Sequence, residues 1–365
     1  MKISLSKGTL AAIACILITG SCENTPVEQG QNNLFFGDGV FIVNEGQFLS
    51  NNASLSFYDP VRDSVQNHIF YRANGVPLGD VALSMLILGE DAFIVVNNSG
   101  KIYQAGRYDM RYRGKITGLN SPRYIAISGN VGTTGLRAYV SDLYSGYITV
   151  LDPLDGSKRD SIQISRSGER LSSEQMILRQ GRLYVTCWSY GSQVLVIDTS
   201  TDRIVDSIPV GLQPNSMAVD KYGYLWVLSD GGYPYGDLPY EKASLTRIDM
   251  ETLQPETMKI WEDVLLSPSD LCVNGTGDSL YMLAGGVYRV SLNMEGFDRP
   301  LVPARGRQFY SLGIDPADGS IYVGDAVDYQ QNGWVYRYHS DGSGIDSLRV
   351  GVNPGFFCFT SSAQR

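Results

Sequence analysis

From residue 121 the chain reads SPRYIAIS, then RAYVSD, YITVLDP and KRDSIQI, four short runs separated by Gly, Asp or Pro. The same cycle returns as SEQMILR, RLYVTCW, QVLVIDT and RIVDSIPV, and again as PNSMAVD, YLWVLSD, SLTRIDM and ETMKIW. Apolar and polar residues alternate with period two, the mark of half-buried strands, and no stretch of helical period exceeds about two turns. The third run of each cycle is SLSFYD, KIYQAG, YITVLD, QVLVID, SLTRID, VYRVSL and VYRYHS, beginning at residues 54, 101, 147, 193, 244, 287 and 335. Seven units of four short strands at this spacing predict an all-β, seven-bladed β-propeller with four-stranded antiparallel blades. The Asp that closes several third runs suits a turn, because its carboxylate accepts nearby backbone N–H groups.

The two ends of the repeat are out of phase. VFIVNEG (40–46) matches a second strand and PGFFCFTS (354–361) a first strand. The C-terminal strand is therefore expected to complete the first blade, which removes the open sheet edges of an unclosed ring. One propeller then spans residues 34–365. With 43% hydrophobic residues in 365, the chain has material for a substantial core.

The start of the chain is of another kind. MKISLSKGTLAAIACILITGSC has a basic end at Lys2 and Lys7, a short apolar centre and the small residues Gly20 and Ser21 before Cys22. Residues 1–21 read as a signal peptide too short for a membrane span. Small residues directly before Cys22 resemble a bacterial lipobox, which implies lipidation of Cys22; ordinary cleavage nearby with a free Cys is the other reading, and Cys15 follows too short an apolar centre. Residues 22–33 continue as a polar tether from the lipidated Cys. Loss of Lys2 and Lys7 takes the net charge from −9 to about −11. With no basic run to release counterions, nucleic acid is not expected as a partner. Cys187, Cys272 and Cys358 are odd in number and widely spaced, so neither a disulfide framework nor a metal spacing is present.

In such a ring the second-to-third and fourth-to-first connections emerge on one face. Here they carry Phe48, Tyr71, Tyr124, Tyr144, Trp188, Tyr190, Tyr233, Tyr235, Tyr240 and Tyr329, interleaved with Asn, Gln, Ser, Asp and Gly. Two readings stand side by side: the rings cap the core, as large aromatics usually do, or they form a bowl for a sizeable amphipathic ligand. An enzyme is not expected. The only histidines are His68 and His339, the latter on the opposite face, and no Ser-His-Asp, HExxH or phosphate-cradling motif occurs. Asp80, Glu174, Asp230, Asp325 and Asp328 could gather as metal ligands or acid–base groups, but solvated loop carboxylates are the reading adopted, with no metal and no catalytic residue.

The stretches SPRYI, SEQM, CWSY, DGGY and DAVDYQQNG, at these places in seven blades, resemble the YncE-like surface propellers of Bacteroidota. Among these the chain is similar to the BtuG-type lipoproteins over roughly residues 34–360. The resemblance implies a lipoprotein anchored in the outer membrane at the cell surface, which binds cobalamin (vitamin B12) or a related corrinoid and hands it to a TonB-dependent outer-membrane transporter. No cofactor is implied beyond that ligand. It further implies a ligand site on the loop-bearing face at Phe48, Arg72, Arg123, Tyr124, Tyr144, Trp188, Tyr190, Tyr233, Tyr235, Tyr329 and Gln330. Aromatic rings would meet the corrin and its base, amides would pair with Asn or Gln, and Arg72 or Arg123 would meet the phosphate. The alternative is a surface propeller that binds a glycan or a protein partner in an adhesion or nutrient-uptake assembly.

Overall fold

The computed structural model describes residues 34–129, 135–165, 171–189, 191–232 and 241–360. Seven four-stranded antiparallel sheets are present, and in each the strands lie side by side in the order of the repeat. The inner strands are Ala82–Leu88, Pro122–Ser128, Met176–Arg179, Pro214–Val219, Ser269–Val273, Phe309–Ile314 and Pro354–Phe359, and each packs on its neighbour around a central channel. The expected propeller is thus present.

Closure is as the phase of the repeat requires. Pro354–Phe359 pairs antiparallel with Val40–Asn44, setting Cys358 opposite Phe41 and Phe357 opposite Ile42. Gly39 and Thr360 seal the far end, through Gly39 N–H to Thr360 Oγ1 (2.9 Å) and Thr360 N–H to the Gly39 carbonyl (3.0 Å).

The core lies between blades, because a twisted four-stranded sheet has two apolar faces and each needs a partner. Tyr139, Ile148 and Val150 of the third blade meet Leu183 and Val185 of the fourth. Trp226 of the fifth meets Leu280 and Met282 of the sixth, and its indole N–H reaches Asp220 at 2.8 Å. Each such side chain contributes about 1.5–3 kcal/mol on burial. Cys187 and Cys358 belong to this packing, and burial pushes both thiols up to about 12. The third-to-fourth turns use their aspartates as the sequence suggests. Asp59 Oδ1 accepts Val61 and Arg62 N–H, Asp198 Oδ1 accepts Ser200 and Thr201, and Asp249 Oδ1 accepts Glu251 and Thr252, all at 2.8–3.0 Å.

Two details lie outside the repeat pattern. A helix, Ile69–Asn74, follows the first blade, buries Ile69 and Phe70, and stops at Gly75 in the left-handed region (φ 70°). Fourth strands also differ widely in length, from two residues in the sixth blade (Val302–Pro303) to nine in the seventh (Gly344–Val352).

Candidate functional site

Near the loop-bearing end, six inner strands lose register with their neighbours. The slips fall at Ala82/Ser84, Pro122/Ile125, Pro214/Ser216, Ser269/Cys272, Phe309/Ser311 and, in the closing strand, opposite Val43/Asn44. A bulge inserts an unpaired residue and re-aims its side chain. Arg123, Tyr124, Asn215, Asp270, Tyr310 and Gly355 sit at these slips, and all line the central channel, a cavity of about 750 Å³. Glu174 and Gln175, just ahead of the fourth blade's inner strand, also line it, tied down by Glu174 N–H to the Thr186 carbonyl (2.9 Å). Val273, Leu312, Ile314, Phe357 and Phe359 make other parts of the wall apolar.

The charges around the channel are unequal. Arg123 holds Glu174 in a two-pronged pair, Nε to Oε2 at 2.7 Å and Nη2 to Oε1 at 2.6 Å. Burial opposes the guanidinium charge, but Glu174 outweighs it and keeps Arg123 protonated above its ordinary range. Glu45 and Asp270 have no such counter-ion among the described residues. Burial raises Glu45 to about 7, against the Tyr310 hydroxyl that donates to its Oε2 at 2.7 Å. Burial raises Asp270 to about 6, against hydrogen bonds from Ser269 Oγ (2.5 Å) and Leu312 N–H (3.4 Å). Burial also lifts the Tyr310 and Tyr124 hydroxyls, so both remain protonated donors. Gly355 makes room for Glu45: a Cβ there would stand 2.4 Å from Oε1.

A second hollow of about 430 Å³ adjoins the channel, since Glu45, Tyr310 and Tyr329 line both. Its other walls include Gln47, Phe48, Asp328, Gln330 and Asn353. Tyr329 meets Tyr310 edge to face at 5.7 Å, and Phe48 is 64% exposed. Channel and hollow together form a continuous recess of rings, carboxyls and amides.

The site residues expected from sequence divide accordingly. Phe48, Tyr329 and Gln330 line the hollow, and Arg123 and Tyr124 line the channel, where Tyr124 faces Phe356 at 6.3 Å. Trp188 is half-buried beside Arg123 (5.9 Å) and donates its indole N–H to Asp230 at 3.1 Å, so its polar edge is already engaged. Burial raises the Asp230 carboxyl despite that bond and another from Gln213 (2.9 Å). Tyr144 is 64% exposed and lines neither recess. Arg72 lies on the helix after the first blade and reaches Gln66 in that blade's outer strand (3.3 Å), away from both recesses. Tyr190, Tyr233, Tyr235 and Cys22, with Tyr240, lie outside the described residues.

Of the carboxylates considered as a group, Asp80, Asp325 and Asp328 bond within their own loops or to a neighbouring one. Among the described residues no group of three or more His, Cys, Asp or Glu could hold a metal ion. Glu45, Asp270 and Tyr310 were not singled out in the sequence, where Glu45 stands only as part of VFIVNEG. A signal existed: the aligned first strands SPRY, SEQM, PNSM, PSDL and QFYS carry a polar or aromatic residue in one column.

A family model described as Domain of unknown function (DUF5074) matches residues 38–359. The chain belongs to the DUF5074 family. No curated protein matches it. Among solved structures, this DUF5074 propeller is similar to a quinonprotein alcohol dehydrogenase-like protein from Bacteroides thetaiotaomicron, with a TM-score of 0.68 at 15% identity over 90% of this chain and 79% of that one. A periplasmic gluconolactonase from Pseudomonas aeruginosa follows the same course, with a TM-score of 0.61 at 12% identity over 88% and 99% of the two chains. Identities this low establish the shared fold, which hosts dehydrogenase-like and lactonase proteins alike.

Proposed function

We propose that this DUF5074 propeller is a capture protein, which holds a corrinoid across the recess on its loop-bearing face and releases it unchanged. The observation that carries this reading is the continuity of channel and hollow, with apolar rings beside carboxyls poised near neutrality. A protonated Glu45 or Asp270 donates to an amide oxygen, and the ionised form accepts an amide N–H, so either state suits an amide-edged ligand. Phe48 and Tyr329 offer ring faces at the rim, and Gln47, Gln330 and Asn353 add amides. Arg123 is already committed to Glu174, so a ligand phosphate would have to share it.

In this reading Cys22 carries the lipid anchor at the cell surface, the tether frees the propeller, and a TonB-dependent outer-membrane transporter receives the ligand. The absence of chemistry is part of the proposal: the hydroxyls that stand beside a carboxyl in the recess, Ser269 on Asp270 and Tyr310 on Glu45, are taken as ligand-binding groups. Titration of the full mature chain with cyanocobalamin, followed by absorbance or calorimetry, is expected to give saturable binding. Phe48→Ala with Tyr329→Ala should weaken it about tenfold or more with little change in Tm, because both rings are exposed. No saturable binding at micromolar protein overturns the corrinoid reading, and binding on a glycan array in its place would establish the alternative.

A further inference from the structure

The outer rim between the sixth and seventh blades holds a concentration of positive charge that the net charge of −9 conceals. The sixth blade's outer strand has only two residues, Val302–Pro303, and faces the seventh blade beside its nine-residue strand Gly344–Val352. Where a full-length strand would lie there are two adjoining hollows, of about 580 and 680 Å³, which share Pro303. Arg305 and Arg307 line the first, Arg289 and Arg299 the second, and all four are exposed.

These arginines are not neutralised. Among the described residues none of the four has a carboxylate within ion-pairing distance. Arg307 sets its guanidinium carbon over the Tyr336 ring at 4.1 Å with Nη1 3.4 Å from the Tyr338 hydroxyl, which steadies the group and leaves the rest of its N–H edge open. Arg289 is steadied by the Ser340 carbonyl at 2.9 Å across the blade boundary. A stacked guanidinium with a free edge is pre-organised for two-pronged bonding to a carboxylate or sulfate. Asp298 and Asp341 are the acids on the second hollow. Arg337 and Asp346 also line the first hollow but are spent on each other at 2.7 Å, with Arg337 stacked on Tyr58 and Tyr322.

We propose that this groove binds an acidic oligosaccharide, one bearing carboxylate or sulfate groups on successive sugar rings. Pro300 and Pro303 give flat apolar faces of the kind that stack on sugar rings, and Gly342 and Gly344 leave part of the wall without side chains. A recessed trough of this kind suits a narrow chain better than a bilayer, which meets a protruding surface. An added peptide strand is disfavoured as well, because Pro300 and Pro303 offer no N–H on this edge.

The test is calorimetric titration of the full mature chain with tetragalacturonate and with a chondroitin sulfate tetrasaccharide. Maltotetraose and inorganic phosphate serve as controls. At least one acidic tetrasaccharide should bind saturably, lose affinity as salt rises, and bind about tenfold or more weakly to an Arg305→Ala, Arg307→Ala double variant of unchanged Tm. That double variant should titrate with cyanocobalamin as the native chain does, so failure here is distinguishable from failure of the recess reading. The proposal is overturned if neither acidic tetrasaccharide binds, if the double variant binds them equally well, or if maltotetraose or phosphate alone does as well as they do. Binding to phosphatidylglycerol vesicles without tetrasaccharide binding overturns it in favour of a lipid surface.

Discussion

At the scale of single residues, the Arg123–Glu174 pair is the interaction on which the recess most depends. Both partners are largely withdrawn from water, and both nitrogens of the fork are used. Such a pair adds little net stability relative to apolar residues, but breaking it is costly because a charge is left behind. Arg123→Met should therefore destabilise the protein by about 3–5 kcal/mol in urea unfolding, and Glu174→Met added to it should restore most of the loss. If the single variant is neutral, Glu174 is not held by Arg123. The position of Arg123 in SPRYI marked it as interesting; its partner Glu174 was visible only as one of several acids. Pairing depends on which inner-strand side chains face each other around a ring, and the strand pattern of either blade contains no such information.

Among structural elements, the turns and the segments that line the channel set the pH response in opposite directions. The turn aspartates Asp59, Asp198 and Asp249 accept backbone N–H groups, and their carboxyls fall below the ordinary range. Desolvation opposes this at Asp59, and the hydrogen bonds of its turn and Arg62 prevail. A lowered folded value means stability that is present above the ordinary carboxyl range and lost as pH drops through the lowered values. Glu45 and Asp270, at about 7 and about 6, do the reverse: the fold prefers their protonated forms, and stability is lost as pH rises through 6 and 7. Glu45→Gln removes one of these contributions. The variant should gain Tm over the native protein at about pH 8 and much less at about pH 5, by scanning calorimetry. An equal difference at both values would mean that Glu45 does not titrate in this range. The turns were readable from the sequence because an Asx turn is local. The inner-strand carboxyl Asp270 was less so, since a register slip decides whether a strand residue points into the channel, and alternation with period two does not announce a slip. The same limit hid the arginine-lined groove, which follows from a two-residue outer strand.

On the scale of the whole molecule, blade count and closure were legible because each rests on a long-range repeat and its phase at the two ends. Closure is also testable. A chain ending at residue 353 lacks Pro354–Phe359 and exposes Val40–Asn44 as a sheet edge. It should lose the cooperative thermal transition and associate on gel filtration, and a peptide of residues 354–360 added in excess should restore part of both. Unchanged melting would show that the ring does not need its last strand. The closing segment also builds the recess. Glu45 N–H bonds the Asn353 carbonyl (2.8 Å), Asn353 Nδ2 bonds the Gly46 carbonyl (2.8 Å), and Glu45 rests over Gly355. During synthesis, Glu45 and Phe48 leave the ribosome some three hundred residues before the segment that positions them. A nascent chain that has not yet released residues 354–359 cannot assemble this wall, so the recess forms only after that segment has emerged.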